Sequence, residues 1–136
     1  MTSRLNPYLT FPGNAREAIE FYRSVFGGDL SLSTFGEYGD PDASRADKVM
    51  HAQLETSLGF TLMCSDTMEE VALTRRDTIT ISLSGDDVHA LRGYFERLSQ
   101  GGQVSLPLER QMWGDEFGMC TDRYGVPWMV NAGQGG

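Results

Sequence analysis

Several residue types that usually announce a chemistry are scarce in this chain. Its only cysteines are Cys64 and Cys120. That is too few for a disulfide scaffold, and the two stand too far apart for a zinc ribbon. The expectation is that both are buried small hydrophobes; a reactive thiol is the alternative. Histidine occurs twice, as His51 and His89. Positive charge is short as well: 11 Lys and Arg face 19 Asp and Glu, a formal charge of -8, with no basic cluster. Nucleic acid and anionic membrane are therefore poor partners on electrostatic grounds, and neither is expected.

No stretch of eighteen apolar residues occurs, and "MTSRLNPYLTF" at the start has no apolar run of signal-peptide length. A soluble, cytoplasmic protein is expected. The G-x-S-x-G elbow, the H-E-x-x-H helix and the P-loop are all missing, which removes serine hydrolase, zincin and nucleotide hydrolase readings. A glycine-rich strand-to-helix fingerprint for S-adenosylmethionine or a dinucleotide is missing too, so no cofactor is expected. With 136 residues and 40% hydrophobic content, the chain can bury one core, and one domain over 1–136 is the starting point.

What is present is periodic. "NPYLTF" reads as a strand stopped by Pro12-Gly13. In "NAREAIEFYRSVFGG", Asn14 is placed to cap a helix and Glu17 to complete a capping box. Ala15, Ala18, Ile19, Tyr22, Val25 and Phe26 form its apolar stripe, and Gly27-Gly28 ends it. "DLSLSTFG" reads as a strand and "EYGDPDASRAD" as an exposed loop. "KVMHAQLET" alternates, with Met50, Ala52 and Leu54 on one side and Val49, His51, Gln53 and Glu55 on the other. "FTLMCSD" is the next strand, and "TMEEVALTRR" is a loop or short helix.

After the strand "TITISLS", a second helix is predicted in "GDDVHALRGYFERLSQGG", with Asp86 as N-cap and Val88, Leu91, Phe95 and Leu98 as its stripe. His89 falls on its solvated side. "QVSLPLERQ", "EFGMCTD" and "VPWMVN" are further strands, the last two joined by "DRYG". Sliding the chain by about seventy residues superposes Gly13 on Gly85, Asn14 on Asp86, Ile19 on Leu91 and Tyr22 on Tyr94. Both helices also end in Gly-Gly followed by a strand.

The pattern is thus an α+β fold of two βαβββ modules, about 4–66 and 77–132, each forming a curved mixed sheet. Each module alone leaves a sheet face uncovered, and pairing them buries it and leaves a trough suited to a ligand. His51, Gln53 and Glu55 are the candidate ligand-binding row. His51 is the best candidate for a general base oriented by a carboxylate, against the plainer reading of a hydrogen-bonded sheet histidine. Asp66 and Asp122 are expected to shape turns. Trp113, Phe117, Tyr124 and Trp128 suggest either a stacking wall or ordinary packing, with Trp128 on the packing side.

"PYLTFPGNAREAIEFYRSVFGG", "VMHAQL", "LMCSD" and "WGDEFGMCTDRYGVPWMVN" together resemble the vicinal oxygen chelate superfamily of glyoxalases, bleomycin resistance proteins and extradiol dioxygenases. More narrowly they resemble its PhnB-like branch, sometimes labelled 3-demethylubiquinone 3-methyltransferase-like. The resemblance implies the glyoxalase/bleomycin resistance/dioxygenase fold and a homodimer. Metal-using relatives place four ligands at positions that align with Pro7, Gln53, Ile79 and Met129; a one-residue slip gives Tyr8 or Trp128. No metal is therefore expected. The function expected is binding of an unidentified small organic molecule by His51, Gln53, Glu55, Trp113 and Phe117. The alternatives are a metal-dependent glyoxalase- or dioxygenase-like enzyme with a displaced ligand set that includes His51 and Glu55, and a structural or regulatory dimer without ligand.

Overall fold

Short strand-forming runs punctuated by Gly, Pro and Asp become two four-stranded mixed sheets, each with one helix, in the computed structural model, which describes residues 5–38, 46–67 and 79–133. The chain divides into two compact units, Met1–Thr74 and Arg75–Gly136. Most of the two segments read as loops, "EYGDPDASRAD" and "TMEEVALTRR", lies outside the described residues.

Unit 1 runs β1 (Tyr8–Phe11), α1 (Ala15–Phe26), β2 (Asp29–Thr34), a 3-10 turn (Gly36–Tyr38), β3 (Val49–Glu55) and β4 (Thr61–Asp66). Its sheet order is β1-β4-β3-β2, with β1 parallel to β4 and the other pairs antiparallel. All six residues of the predicted α1 stripe are buried. They meet Leu54, Leu62, Cys64 and Ala52, which are fully buried on the covered side of the sheet.

Three local expectations change. Asn14 is the N-cap residue of α1, but its side chain makes no capping bond, and its Oδ1 is buried without a partner. The first helical N–H, that of Ala15, instead donates to Asp66 Oδ1 at 2.8 Å, while Val49 N–H donates to Asp66 Oδ2 at 2.9 Å. Asp66 is therefore a buried brace between α1 and β3 rather than a local turn former. Val49 is the third: it is buried, not on the polar side. The register shifts between Ser33 and Thr34, which pair with His51 and Val49, so Met50 is the extra residue of a bulge and the alternation changes phase there.

Unit 2 repeats the order with β5 (Ile81–Gly85), α2 (Val88–Ser99), β6 (Gln103–Arg110), β7 (Glu116–Thr121) and β8 (Pro127–Ala132). The sheet order is β5-β8-β7-β6, with β5 parallel to β8. The cap of α2 is Asp87, whose side chain accepts from Ala90 N–H at 3.1 Å, not Asp86. One extra residue in this junction is the cause. The helices start at Ala15 and Val88 and the buried strand residues before them are Phe11 and Leu83, so the gap is one longer in unit 2.

The paired glycines have a shared reason. A Cβ on Gly28 would lie 2.0 Å from the Glu55 carbonyl oxygen, and one on Gly102 would lie 2.1 Å from that of Thr121. In each unit the second glycine lets the chain leaving the helix press against the backbone of the neighbouring strand. "DRYG" is the predicted turn, closed by Gly125 N–H to Asp122 O at 3.0 Å and Asp122 N–H to Val126 O at 2.9 Å. Pro107 is tolerated because β6 is an edge strand with two register shifts.

Candidate functional site

A strand's side chains alternate, so the register assigns residues to faces. On the face of sheet β1-β4-β3-β2 turned away from α1, β3 contributes His51, Gln53 and Glu55. Their partners across β2 are Ser33, Ser31 and Asp29. From β4, Met63 pairs with Gln53 and Thr61 with Glu55, and from β1, Tyr8 pairs with Met63. The predicted polar row is therefore real, and it sits in a field of hydroxyl groups.

Within this field the side chains are tied in two groups. Gln53 Nε2 donates to Glu55 Oε1 at 2.5 Å, and Thr61 Oγ1 donates to Glu55 Oε2 at 2.6 Å. These bonds hold the carboxylate in one orientation and use one of the two Gln53 amide N–H groups, leaving the other N–H as donor and the carbonyl oxygen as acceptor. His51 belongs to the other group: its Nδ1 lies 3.3 Å from the Tyr8 hydroxyl, with ring centroids 5.8 Å apart. Glu55 is thus held by Gln53 and Thr61, whereas the described partner of the His51 imidazole is Tyr8.

Tyr8 and Thr61 are the site residues that sequence reasoning did not single out as ligand-binding. The signal for Tyr8 is its phase in β1, opposite to Leu9 and Phe11, but using that signal requires knowing that β1 lies parallel beside β4.

In unit 2 the register places Phe117, Met119, Met129 and Asn131 on the face away from α2. Trp113, 59% exposed, stands edge to face with Phe117 at a centroid distance of 6.1 Å. The loop carrying Trp113 is pinned by Gln111 N–H to Asp115 O at 2.8 Å and by Asn131 Nδ2 to Asp115 Oδ2 at 3.0 Å. Gly133 admits Asp115 to this position, since a Cβ there would fall 2.1 Å from Asp115 Oδ1. Trp128 is fully buried and its Nε1 donates to Asp122 Oδ2 at 2.9 Å, which makes it a packing residue. His89 is exposed on α2.

Both cysteines are buried. Desolvation, with a smaller contribution from Asp66, pushes the Cys64 thiol up to about 12; desolvation and Asp122 push Cys120 up to about 11. Neither thiol is ionised near neutrality, as a nucleophile would have to be. A thiol held protonated in the fold stabilises it fully below the unfolded value of 9.0 and loses that contribution as pH rises toward the folded value. Urea unfolding free energy is accordingly expected to fall from pH 9 upward, and the fall should be shallower in Cys64→Ala.

The four positions that the family resemblance aligns with metal ligands carry side chains poorly suited to a hard cation or zinc. Pro7 and Ile79 offer hydrocarbon, Gln53 only a neutral amide oxygen, and Met129 a soft thioether. The displaced pair fares no better. Both Glu55 carboxylate oxygens accept hydrogen bonds, from Gln53 and Thr61, and His51 Nδ1 lies beside the Tyr8 hydroxyl, so the two side chains belong to separate bonded groups. Among the described residues, no group of three or more His, Cys, Asp and Glu side chains is arranged to hold an ion.

Residues 3–131 match the protein family described as 3-demethylubiquinone-9 3-methyltransferase. Among solved structures, the chain is 38% identical to PA1353 from Pseudomonas aeruginosa, with a TM-score of 0.86, over 97% of this chain and 98% of that one. It is 26% identical to the PhnB protein from Bacillus cereus, described as a putative 3-demethylubiquinone-9 3-methyltransferase, with a TM-score of 0.79 and coverage of 96% and 99%. FosX, the fosfomycin resistance protein from Listeria monocytogenes solved with Mn(II) and sulfate, shares the fold alone. Its TM-score is 0.64 at 12% identity, covering 98% of this chain and 94% of that one. The family match over nearly the whole chain and the shared βαβββ architecture lead to one conclusion: the chain belongs to the 3-demethylubiquinone-9 3-methyltransferase family, the PhnB-like branch of the vicinal oxygen chelate superfamily.

Proposed function

We propose that this protein binds a small organic molecule through His51, Gln53 and Glu55, without the divalent ion that metal-using members of its superfamily hold. The observation that carries the reading is the oriented carboxylate of Glu55, held by Gln53 and Thr61 in the same strand row as His51. Organising a polar cluster on a sheet face has an entropic cost, and binding a ligand gives that order a use. Trp113 and Phe117 give unit 2 an aromatic surface suited to contact with an apolar ligand group.

In this reading residues 1–136 act as one cytoplasmic domain, as a homodimer, with no nucleic-acid or membrane partner. The methyltransferase name of the family is not extended to the chain, because the sequence carries no glycine-rich fingerprint for S-adenosylmethionine. Nor is a reaction assigned.

Two measurements test the proposal. Elemental analysis of protein purified without chelators is expected to find no stoichiometric zinc, nickel, manganese or iron; finding one would overturn the metal-free reading. A thermal-shift screen of a small-molecule library on wild type and His51→Ala is expected to give hits that weaken in the variant. Hits that ignore the substitution would remove His51 from the site.

A further inference from the structure

Met112, at the tip of the β6–β7 hairpin, is 99% exposed. The other described methionines, Met50, Met63, Met119 and Met129, are all partly covered. Met119 and Met129 stand directly opposite each other on β7 and β8, on the face that carries Phe117.

The turn that presents Met112 takes its shape from other groups. Gly114 N–H donates to Gln111 O at 3.0 Å, so Met112 and Trp113 are the two central residues of a four-residue turn. Gln111 N–H to Asp115 O at 2.8 Å closes the hairpin beneath it, and Gln111 Nε2 donates to Glu109 O at 3.1 Å. A methyl added to Gly114 would meet nothing within 4 Å, so the space beside the turn is open. Packing therefore gives the Met112 thioether no task, whereas its chemistry does: an accessible thioether is oxidised by peroxides.

A lone pair of Met112 Sδ attacks one oxygen of hydrogen peroxide, and the S–O bond forms as the O–O bond breaks. The departing hydroxide takes the proton of the bound oxygen and leaves as water. Sulfur has then lost two electrons and the peroxide has gained them. A thiol-dependent methionine sulfoxide reductase reverses the change, releasing the oxygen as water and leaving a disulfide among its own thiols. The sulfoxide is polar where the thioether was apolar. Its neighbour Trp113 stands edge to face with Phe117 at 6.1 Å, so the polarity changes at the border of that aromatic surface.

We propose that Met112 is a reversible peroxide-oxidation site whose sulfoxide turns the border of the Trp113 and Phe117 surface from apolar to polar while the fold stays intact. Neither the oxidation nor its reversal depends on the binding function proposed above.

To test this, the full chain is treated with excess hydrogen peroxide, sampled over time and quenched with catalase, and mass spectrometry of its peptide fragments locates each added oxygen. Met112 is expected to react within about threefold of the rate of N-acetylmethionine amide, and about tenfold faster than Met119 or Met129. The urea midpoint after this fast step should be unchanged. In nuclear magnetic resonance spectra the indole N–H of Trp113 should shift in wild type and stay in place in Met112→Leu, and that of the buried Trp128 should stay in place in both. Methionine sulfoxide reductases A and B with dithiothreitol should restore the original mass and spectrum.

If Met112 reacts no faster than Met119 and Met129, the assigned site is wrong. If it reacts and the Trp113 resonance does not move, or moves equally in Met112→Leu, the sulfoxide does not alter the surface and the proposal fails. A sulfoxide that the reductases repair in the released peptide but not in the folded chain would overturn reversibility. In each case the binding reading stands or falls separately, by the His51-dependent library screen.

Discussion

Replacing Asp122 by alanine is expected to lower the unfolding free energy by about 3–5 kcal/mol, as measured by urea titration. Its carboxylate is buried and receives three donors: Tyr124 N–H at 2.8 Å, Val126 N–H at 3.1 Å and Trp128 Nε1 at 2.9 Å. Hydrogen bonds to a charged acceptor are worth about 1.5–3 kcal/mol each, and donors stranded by truncation bear the desolvation cost. The first two bonds shape the β7–β8 turn, and the third anchors the largest fully buried side chain in the protein. Trp128→Phe removes only the third bond, but it also leaves a cavity where the indole packed, so its cost carries a packing contribution as well. The double variant should cost less than the sum of the two. Strict additivity would show that turn and anchor are independent.

Gly28→Ala is expected to cost more than about 3 kcal/mol, or to prevent folding, because two penalties coincide. Gly28 has φ of +113°, and the added methyl would lie 2.0 Å from the Glu55 carbonyl oxygen and 2.8 Å from Thr56 Cα. Backbone cannot yield as a flexible side chain can, so β2 would have to part from β3. Gly59→Ala separates the two penalties. Its φ is +91°, yet nothing lies within 4 Å of the new methyl, so it should cost only about 1–2 kcal/mol. Equal losses at the two positions, read from denaturant midpoints, would sink the steric account. The same strand separation would move Glu55, so binding at the His51 face should weaken with stability in Gly28→Ala but not in Gly59→Ala.

The helices were the most legible elements, because burial of one stripe leaves a strong periodic trace. Every residue of the predicted α1 stripe is in the core. Caps were less legible. "NARE" has the letters of a capping box, yet Asp66, fifty-two residues beyond Asn14, takes the Ala15 N–H. A carboxylate already buried by the sheet is a stronger acceptor for that donor than a neutral amide, and local sequence cannot show which acceptor the fold brings near. Val49 was assigned to the wrong side for a similar reason, since a bulge depends on the partner strand's register.

The candidate site divides in the same way. Alternation along β3 was sufficient to place His51, Gln53 and Glu55 on one face, because side-chain phase in a strand is a local property. It could not show that Glu55 is held by Thr61 from β4, or that His51 meets Tyr8 from β1. Those contacts depend on the order β1-β4-β3-β2, in which a strand from the start of the unit lies beside its last. The sequence by itself thus determined the elements, the two-module repeat and the polar row. Only the tertiary structure decided which side chains across that row touch one another. Periodicity follows from backbone geometry within one segment, whereas partners are chosen where segments distant in the chain pack together.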